Sequence, residues 1–541
     1  MRRALPILAL ALLPLAAAAA EATLPIEVRE GDTLWRLSNE VFAGPAAWRE
    51  VARLNRLPDG NRIYPGQVLN VPQRLLRTDP VAARLVGVEG DVRVDGRPAS
   101  AGTILGAGQA LTTAGNASAV VELDDGSRVR VQPASEAGLA QSARVGARPD
   151  DDGFFAGTMR LVRGSLEVLA ARLLRAKPLE VQSPTAVIGV RGTEYRVHHG
   201  DDLGTRTEVL EGLVRADPAG RPEAGVDVAM HYGAAVGGPA AAAVLRPLPP
   251  GPALGELPGT FERPVVRFAV PGEATALRVQ VAHDERFERI VSDERLPAGA
   301  EVRIAGLPDG DWSLRVRRVD ASGIEGLDST HRFTLAARPE PPAPSAPRAG
   351  GQVGAGTVWF TWAESLEAQH YHLQVARDAA FTQLVFADPQ IVGPRIAVHL
   401  PQAGNYHWRI ASVRPPQGER RTQGPWSDPQ ALTVRAAPPA AGGGLSSDGR
   451  QLDLRWTGRP EDRQQVELAR DEGFTQGVVR AELDAPNWTL PRPEQPGTYY
   501  FRYRSVEPDG FVTPFSGTLK LEIERDWRGL WLLGVPLLFV L

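Results

Sequence analysis

Hydrophobic spacing divides the chain into a short helical stretch near its N-terminus and a long region of period-two strands. Residues 26–28 alternate like a short strand, and Gly31-Asp32 reads as a turn, with Asp32 placed to cap a helix beginning near Thr33. Leu34, Leu37 and Val41 fall at i, i+3 and i+7, one apolar helix face. Gly44-Pro45 ends that helix, and Trp48, Val51 and Leu54 repeat the spacing on a second. Residues 58–61 form a loop, Tyr64-Pro65-Gly66-Gln67 a tight turn and 68–71 a closing strand. The predicted order over about 45 residues is β-α-α-β.

Residues 75–80 read as a short joint. From 81 to 217 the pattern becomes short strands and turns. Residues 119–123 and 128–131 alternate on either side of Asp124-Asp125-Gly126-Ser127, which predicts a hairpin. Residues 159–168 predict a strand pair around Gly164, and 183–195 (Ser-Pro-Thr-Ala-Val-Ile-Gly-Val-Arg-Gly-Thr-Glu-Tyr) and 207–214 complete the region. Residues 239–258, rich in Ala, Pro and Gly, read as a semi-rigid linker.

An internal repeat follows. Asp284/Phe287, Asp378/Phe381 and Asp471/Phe474 share one spacing, with Phe268, Trp362 and Trp456 upstream. Gly310-Asp311-Trp312, Gly404-Asn405-Tyr406 and Gly497-Thr498-Tyr499 follow downstream, each opening an alternating strand. Three β units are expected at 260–336, 352–435 and 446–524, with Pro/Ala linkers at 336–351 and 436–444 between them. Their pattern of an early Trp and a later Tyr or Trp resembles the fibronectin type III sandwich.

Two further resemblances are more specific. Gly31-Asp32-Thr33-Leu34-Trp35, Leu54-Asn55 and Ile63-Tyr64-Pro65-Gly66-Gln67-Val68-Leu69 resemble the LysM module, a peptidoglycan and chitin binder, over 24–73. That resemblance implies a shallow groove for N-acetylglucosamine units between two loops, here Gly31, Asp32, Thr33 and Leu34 on one side and Asn61, Arg62, Ile63 and Tyr64 on the other. Residues 183–195, the 123–127 turn and Glu211-Gly212 resemble the FecR domain, expected over 81–217. The archetype of that family is a periplasmic sensor controlling a sigma factor. The cytoplasmic segment and membrane span that precede its sensor have no counterpart ahead of this one, so the resemblance implies a fold and a binding role. The expected fold class is multidomain and mainly β: a small βααβ LysM module, a β-rich FecR-like domain and three β-sandwich repeats.

Composition sets limits on function. Lys and Arg total 60 against 64 Asp and Glu, a formal charge of −4, so there is no basic field for nucleic acid. Cysteine is absent, which excludes disulfides, thiolate metal sites and cysteine nucleophiles. Residues 1–20 carry Arg2-Arg3, an apolar run and Ala-x-Ala, which predicts a secretory signal peptide. No cysteine follows it, so no lipoprotein anchor is expected, and export points to the periplasm. Residues 527–541 form an apolar tail interrupted by Pro536. Its twelve apolar residues would span ~18 Å as a helix against ~30 Å of hydrocarbon, so contact with a membrane or partner fits better than a full span.

Catalytic signals are sparse. There is no G-x-S-x-G elbow and no H-E-x-x-H. His370-Tyr371-His372 mimics the H-x-H of a metallopeptidase family, but its counterparts in the other repeats are not histidines and the companion H-x-x-x-D is missing. His198-His199 and Asp201-Asp202 lack the spacing of a metal cage, and Arg191 reads as a turn brace. No catalytic residue, metal or cofactor is expected. The sequence predicts a non-enzymatic envelope protein that binds peptidoglycan through LysM and presents its other domains to an unidentified envelope protein or polymer. The alternatives are a FecR-type sensor acting through a membrane partner and, less favoured, a wall hydrolase.

Overall fold

The structure, a computed structural model, describes residues 23–525 apart from 61, 172–176, 191–192, 201 and 417–421. The expected signal peptide and apolar tail, together with Asn61, Arg191 and Asp201, lie outside the described residues. The described residues are mainly strand, with two short α-helices, Leu34–Glu40 and Ala47–Leu54, among them. The chain divides into two compact units. Among the described residues, one holds those within 23–260, 265–306 and 310–334. The other holds those within 261–264, 307–309 and 335–525.

The first unit begins with β1 (Thr23–Glu27), α1 (Leu34–Glu40), α2 (Ala47–Leu54) and β2 (Val68–Pro72). β1 and β2 pair antiparallel, Glu27 opposite Val68, and the two helices cover one face. Leu24, Ile26, Leu34, Leu37, Val51, Leu69 and Val71 meet beneath them. α1 is capped by Thr33 rather than Asp32: the Thr33 hydroxyl accepts from the Arg36 N–H at 3.1 Å. The stretch expected as a joint, 75–80, is structured instead. Ala43 N–H donates to the Leu75 carbonyl and Arg77 N–H to the Val41 carbonyl, each at 2.8 Å, and Thr78–Pro80 pairs with residues 143–145. The apolar cluster of the small module therefore includes Leu76, Val145 and Ala156, with Phe154 against it. The module and the domain after it share a core.

That domain is a closed barrel of short antiparallel strands running from Thr78 to Pro247, with one parallel pairing, at 158–160 and 180–182. The hairpin forms as patterned, Glu122 opposite Arg128, with Gly126 at φ +80° in the turn. Residues 159–168 differ from expectation. They lie within one long strand, Phe154–Leu169, and Gly164 is a kink within it rather than a turn. Before Gly164 the strand pairs with Glu136–Val145, and after it with Arg128–Val131 and Glu194–Gly200. Gly164 has φ +92°, and the Ser135 backbone would stand 2.6 Å from a Cβ there, so glycine alone lets the strand pass between the two layers.

The Pro-rich stretches are not plain linkers. Val244–Pro247 pairs with Tyr232–Val236, Pro344–Ala346 with Gly356–Trp362, and Gly442–Leu445 with Gln451–Arg455. Proline and glycine weaken a central strand but are tolerated at sheet edges, and Pro344–Ala346 and Gly442–Leu445 each take the edge of a three-stranded sheet. Each repeat places two sheets face to face. In the first, the larger sheet contains Ser329–Leu335, Gly310–Val319, Ala276–Ala282 and Ile290–Pro297 in that order. In the second, Phe360, Trp362, Tyr371, Tyr406 and Trp408 fill the space between sheets. In the third, Phe501 and Tyr503 are buried and Trp456 packs against them. The recurring aromatics are core residues, as their repeat positions imply.

A buried charge cluster joins the barrel to the first sandwich within the first unit. The barrel supplies Arg130, Glu167, Arg196 and Glu208, and the sandwich supplies Arg278, Asp293, Arg315, Arg317, Glu325 and Asp328. Glu167, 2% exposed, lies 2.6 Å from Arg317 and 3.2 Å from both Arg315 and Arg130. Arg196 donates to the Gly326 carbonyl at 2.7 Å, and Glu208 accepts from the Glu325 N–H at 3.1 Å. Burial alone raises the Glu167 carboxyl, but Arg315, Arg317, Arg130 and Arg196 outweigh it and hold the group well below the usual carboxylate range. Burial likewise opposes ionisation of Asp328, and Arg317, Arg315 and Arg196 lower it to about 2.

Glu167→Gln leaves these arginines without their central anion and is expected to destabilise the first unit by about 3–5 kcal/mol, read from urea unfolding. The pH dependence has a definite sign. Folded Glu167, Glu325 and Asp328 titrate below their unfolded values, so the unfolded chain binds more protons on acidification. Their contribution is complete above the unfolded carboxylate range near ~4 and falls as pH drops toward ~2. A melting temperature unchanged between neutral pH and pH ~3 would contradict this.

Candidate functional site

Antiparallel pairing of β1 with β2 sends two loops out from one end of the small module. The Val28 N–H donates to the Gln67 carbonyl and the Gly66 N–H to the Val28 carbonyl, both at 2.8 Å, so residues 29–33 and 62–67 leave side by side. Asn55 stitches the back of the module: its side-chain amide donates to the Asn70 carbonyl at 3.0 Å and its Oδ1 accepts the Asn70 N–H at 2.7 Å. This is the structural work of the Leu54-Asn55 motif.

The site residues predicted from sequence separate into three groups. Gly31 and Thr33 are exposed on the first loop, Gly31 at φ +81°. Arg62 and Tyr64 are exposed on the second, Tyr64 at 64%. Ile63 is half-buried against the module core. Leu34 turns inward at 2% exposure, so its side chain supports the loop and does not reach a surface ligand. The next residue, Trp35, is 70% exposed on the first turn of α1. An aromatic at that exposure offers a stacking face that the predicted list of edge residues did not include.

Asp32 is turned toward the barrel. Its Oδ2 accepts from the Arg29 N–H at 2.8 Å and from Arg148 Nη1 at 2.9 Å, and its side chain is 6% exposed. Arg148 also donates to the Glu27 carbonyl at 2.8 Å. Arg29 pairs with Asp150 at 2.9 Å and with Asp151. A barrel turn at 146–153 thus braces the first loop from outside the small module. Glu40 raises the Arg36 guanidinium, with smaller contributions from Asp32 and Asp150. Nothing within 24–73 signals Arg148; only the apolar residues flanking its turn, Val145 and Phe154, hint that the turn is docked. The edge that remains open offers Thr33, Trp35, Arg62 and Tyr64. These supply hydroxyl and guanidinium hydrogen-bonding groups beside flat apolar faces, a mixture suited to a polar ligand with apolar patches.

In the barrel, the 183–195 motif is largely internal. Ser183 and Thr185 hydroxyls meet Thr205 at 2.6 and 2.5 Å, and His199 Nδ1 lies 3.0 Å from the same hydroxyl. His198 Nδ1 lies 2.7 Å from Ser165 Oγ and its Nε2 3.0 Å from Glu208, inside the buried charge cluster.

Comparison with known proteins agrees with two of these domains. Residues 26–72 match the family model of the LysM domain, and residues 109–215 match that of the FecR protein. No curated protein matches the chain. Among solved structures, a candidate anti-sigma factor from Parabacteroides distasonis is 16% identical, with 26% of this chain and 59% of that chain covered and a TM-score of 0.21. The FN1–FN3 domains of chicken CNTN1 are 15% identical, with 51% and 100% covered and a TM-score of 0.21. The chain thus carries a LysM domain and a FecR domain ahead of its sandwiches. Barrel pairing extends past the FecR match on both sides, because Ala83–Glu89 pairs with Ser118–Glu122 and Tyr232–Val236 with Gly204–Glu211.

The two neighbours on α1 separate by their surroundings. Leu34→Ala is expected to cost about 2–4 kcal/mol through the cavity it opens. Trp35→Ala should stay within about 0.5 kcal/mol of the parent. Thermal unfolding of the two variants checks this pair.

Proposed function

We propose that the protein is a non-enzymatic component of the cell envelope that binds the N-acetylglucosamine-containing glycan of peptidoglycan through its LysM domain. The observation that carries this reading is the pair of adjacent loops at one end of β1 and β2, within a LysM match over 26–72. Gly31, Thr33, Arg62 and Tyr64 line the proposed seat, with Trp35 beside it, and the sequence motif adds Asn61. Acetamido groups need both donors and acceptors, and sugar faces stack on aromatic rings. Asp32, Leu34 and Ile63 hold the loops in place. Export to the periplasm rests on residues 1–20. Among the described residues no helix is long and apolar enough to cross a membrane. The FecR domain and sandwiches then serve as recognition surfaces for another envelope component. A second reading draws on the FecR match: the barrel receives a signal and passes it to a membrane partner.

Deleting the module would uncover Leu76, Val145 and Ala156, so surface substitutions are the cleaner test. Trp35→Ala combined with Tyr64→Ala in the full chain is expected to weaken co-sedimentation with purified sacculi about tenfold, equivalent to ~1.4 kcal/mol, while both exposed positions leave stability within about 0.5 kcal/mol of the parent. Sedimentation equal to the parent would overturn the glycan assignment. Loss of muropeptides from sacculi incubated with the protein alone would overturn the non-enzymatic one.

A further inference from the structure

The three sandwiches repeat a device that extends the Asp/Phe spacing. Phe287, Phe381 and Phe474 sit at φ +54°, +58° and +54°, in tight turns whose Asp284, Asp378 and Asp471 accept backbone N–H groups. An arginine from the strand after the downstream glycine lies over each ring: Arg315 at 4.2 Å, Arg409 at 4.1 Å and Arg502 at 3.8 Å. Each arginine also binds the residue four before the Asp: Gln280 at 2.7 Å, Gln374 at 2.8 Å and Glu467 at 2.6 Å.

The repeats differ in the anion that the arginine meets. In the first, Arg315 takes Glu167 from the barrel at 3.2 Å, and both side chains are buried. In the third, Glu467 supplies the carboxylate from the same sheet. In the second, the partner is the neutral amide of Gln374, and no carboxylate among the described residues pairs with Arg409. Arg409 is half-buried between Phe381 and Trp426, the latter 4.4 Å from its guanidinium, and burial pushes its pKa down with no carboxylate in opposition. Opposite Gln374 stands exposed Ala387, where the first repeat has Asp293 opposite Gln280. The adjacent strand Leu384–Ile391 leaves Leu384 and Val385 exposed at 46% and 44%.

We propose that this face of the second sandwich docks an acidic segment of a partner protein, with a carboxylate entering opposite Arg409 and an apolar neighbour resting on Leu384 and Val385. The precedent lies in the same chain: the equivalent face of the first sandwich is closed by a protein glutamate on a β-strand. A carboxylate is the acceptor that an ordered, partly desolvated guanidinium favours most. The inference rests on the reading of the sandwiches as recognition surfaces and is independent of the glycan assignment.

The test uses the full chain and an alternating Val-Glu peptide as probe, followed by surface plasmon resonance. The Val-Glu peptide is expected to bind saturably, about tenfold more tightly than a Val-Gln peptide. Arg409→Gln should remove that preference, while the exposed control Arg450→Gln should retain it. Gln374→Glu should also abolish it by supplying, as Glu467 does for Arg502 in the third repeat, an internal carboxylate with every arginine in place, which keeps the test valid if Arg409→Gln perturbs the fold. Sedimentation with sacculi should be unchanged in both Arg409→Gln and Gln374→Glu, so failure here is distinct from failure of the glycan reading. Equal binding by the Val-Gln peptide, or by Gln374→Glu, overturns the proposal. Binding of a muropeptide stem in place of the Val-Glu peptide also overturns it, by assigning the face to wall peptide carboxylates.

Discussion

One carboxylate withdrawn from water governs the first unit. Glu167 lies on the long barrel strand just past the Gly164 kink, and it is tolerable there only because Arg130, Arg315 and Arg317 converge on it. Two of those arginines belong to the first sandwich, so the barrel alone would leave the glutamate undercompensated. The sandwich in turn buries Arg278, Glu325 and most of Asp328 against the barrel. Each domain contributes as many cations as anions, and neither satisfies its own set without the other. A charge cluster of this kind gives a defined docking geometry more than raw stability.

At the other end of the barrel the join is apolar. Leu76, Val145 and Ala156 complete a core that the LysM domain begins, and Arg148 closes its edge by holding Asp32. The consequence is functional. A loop of the proposed glycan edge is braced by a turn of the neighbouring domain, so that edge is presented at a fixed angle. Pre-set loops lose less freedom on meeting a ligand than mobile ones. Within the first unit the sandwich closes one barrel face and LysM another, and the edge of the LysM domain carrying Thr33, Trp35 and Tyr64 stays exposed.

Much of this was legible in the residues. The i, i+3, i+7 spacing from Leu34 and the Tyr64-Pro65-Gly66-Gln67 turn define the small module, and the three Asp/Phe pairs define the repeats. The misreadings have local physical causes. Asp32 and Thr33 both suit a helix cap, but the Arg29 N–H and the distant Arg148 engage the Asp32 carboxylate and leave the cap to Thr33. Gly164 looks like a turn because a glycine with positive φ serves turns and kinks alike. Pro/Ala segments read as linkers because an edge strand asks little of composition. The charge cluster was invisible for a different reason: its members are common surface residues, scattered from Arg130 to Asp328, and only the docked geometry removes them from water.

The account rests most heavily on where glycan would lie, and hydrogen–deuterium exchange of the full chain with and without an N-acetylglucosamine oligomer tests that directly. Added protection confined to peptides covering residues 29–35 and 61–67 is the predicted result. Protection elsewhere, with these two loops unchanged, would contradict it.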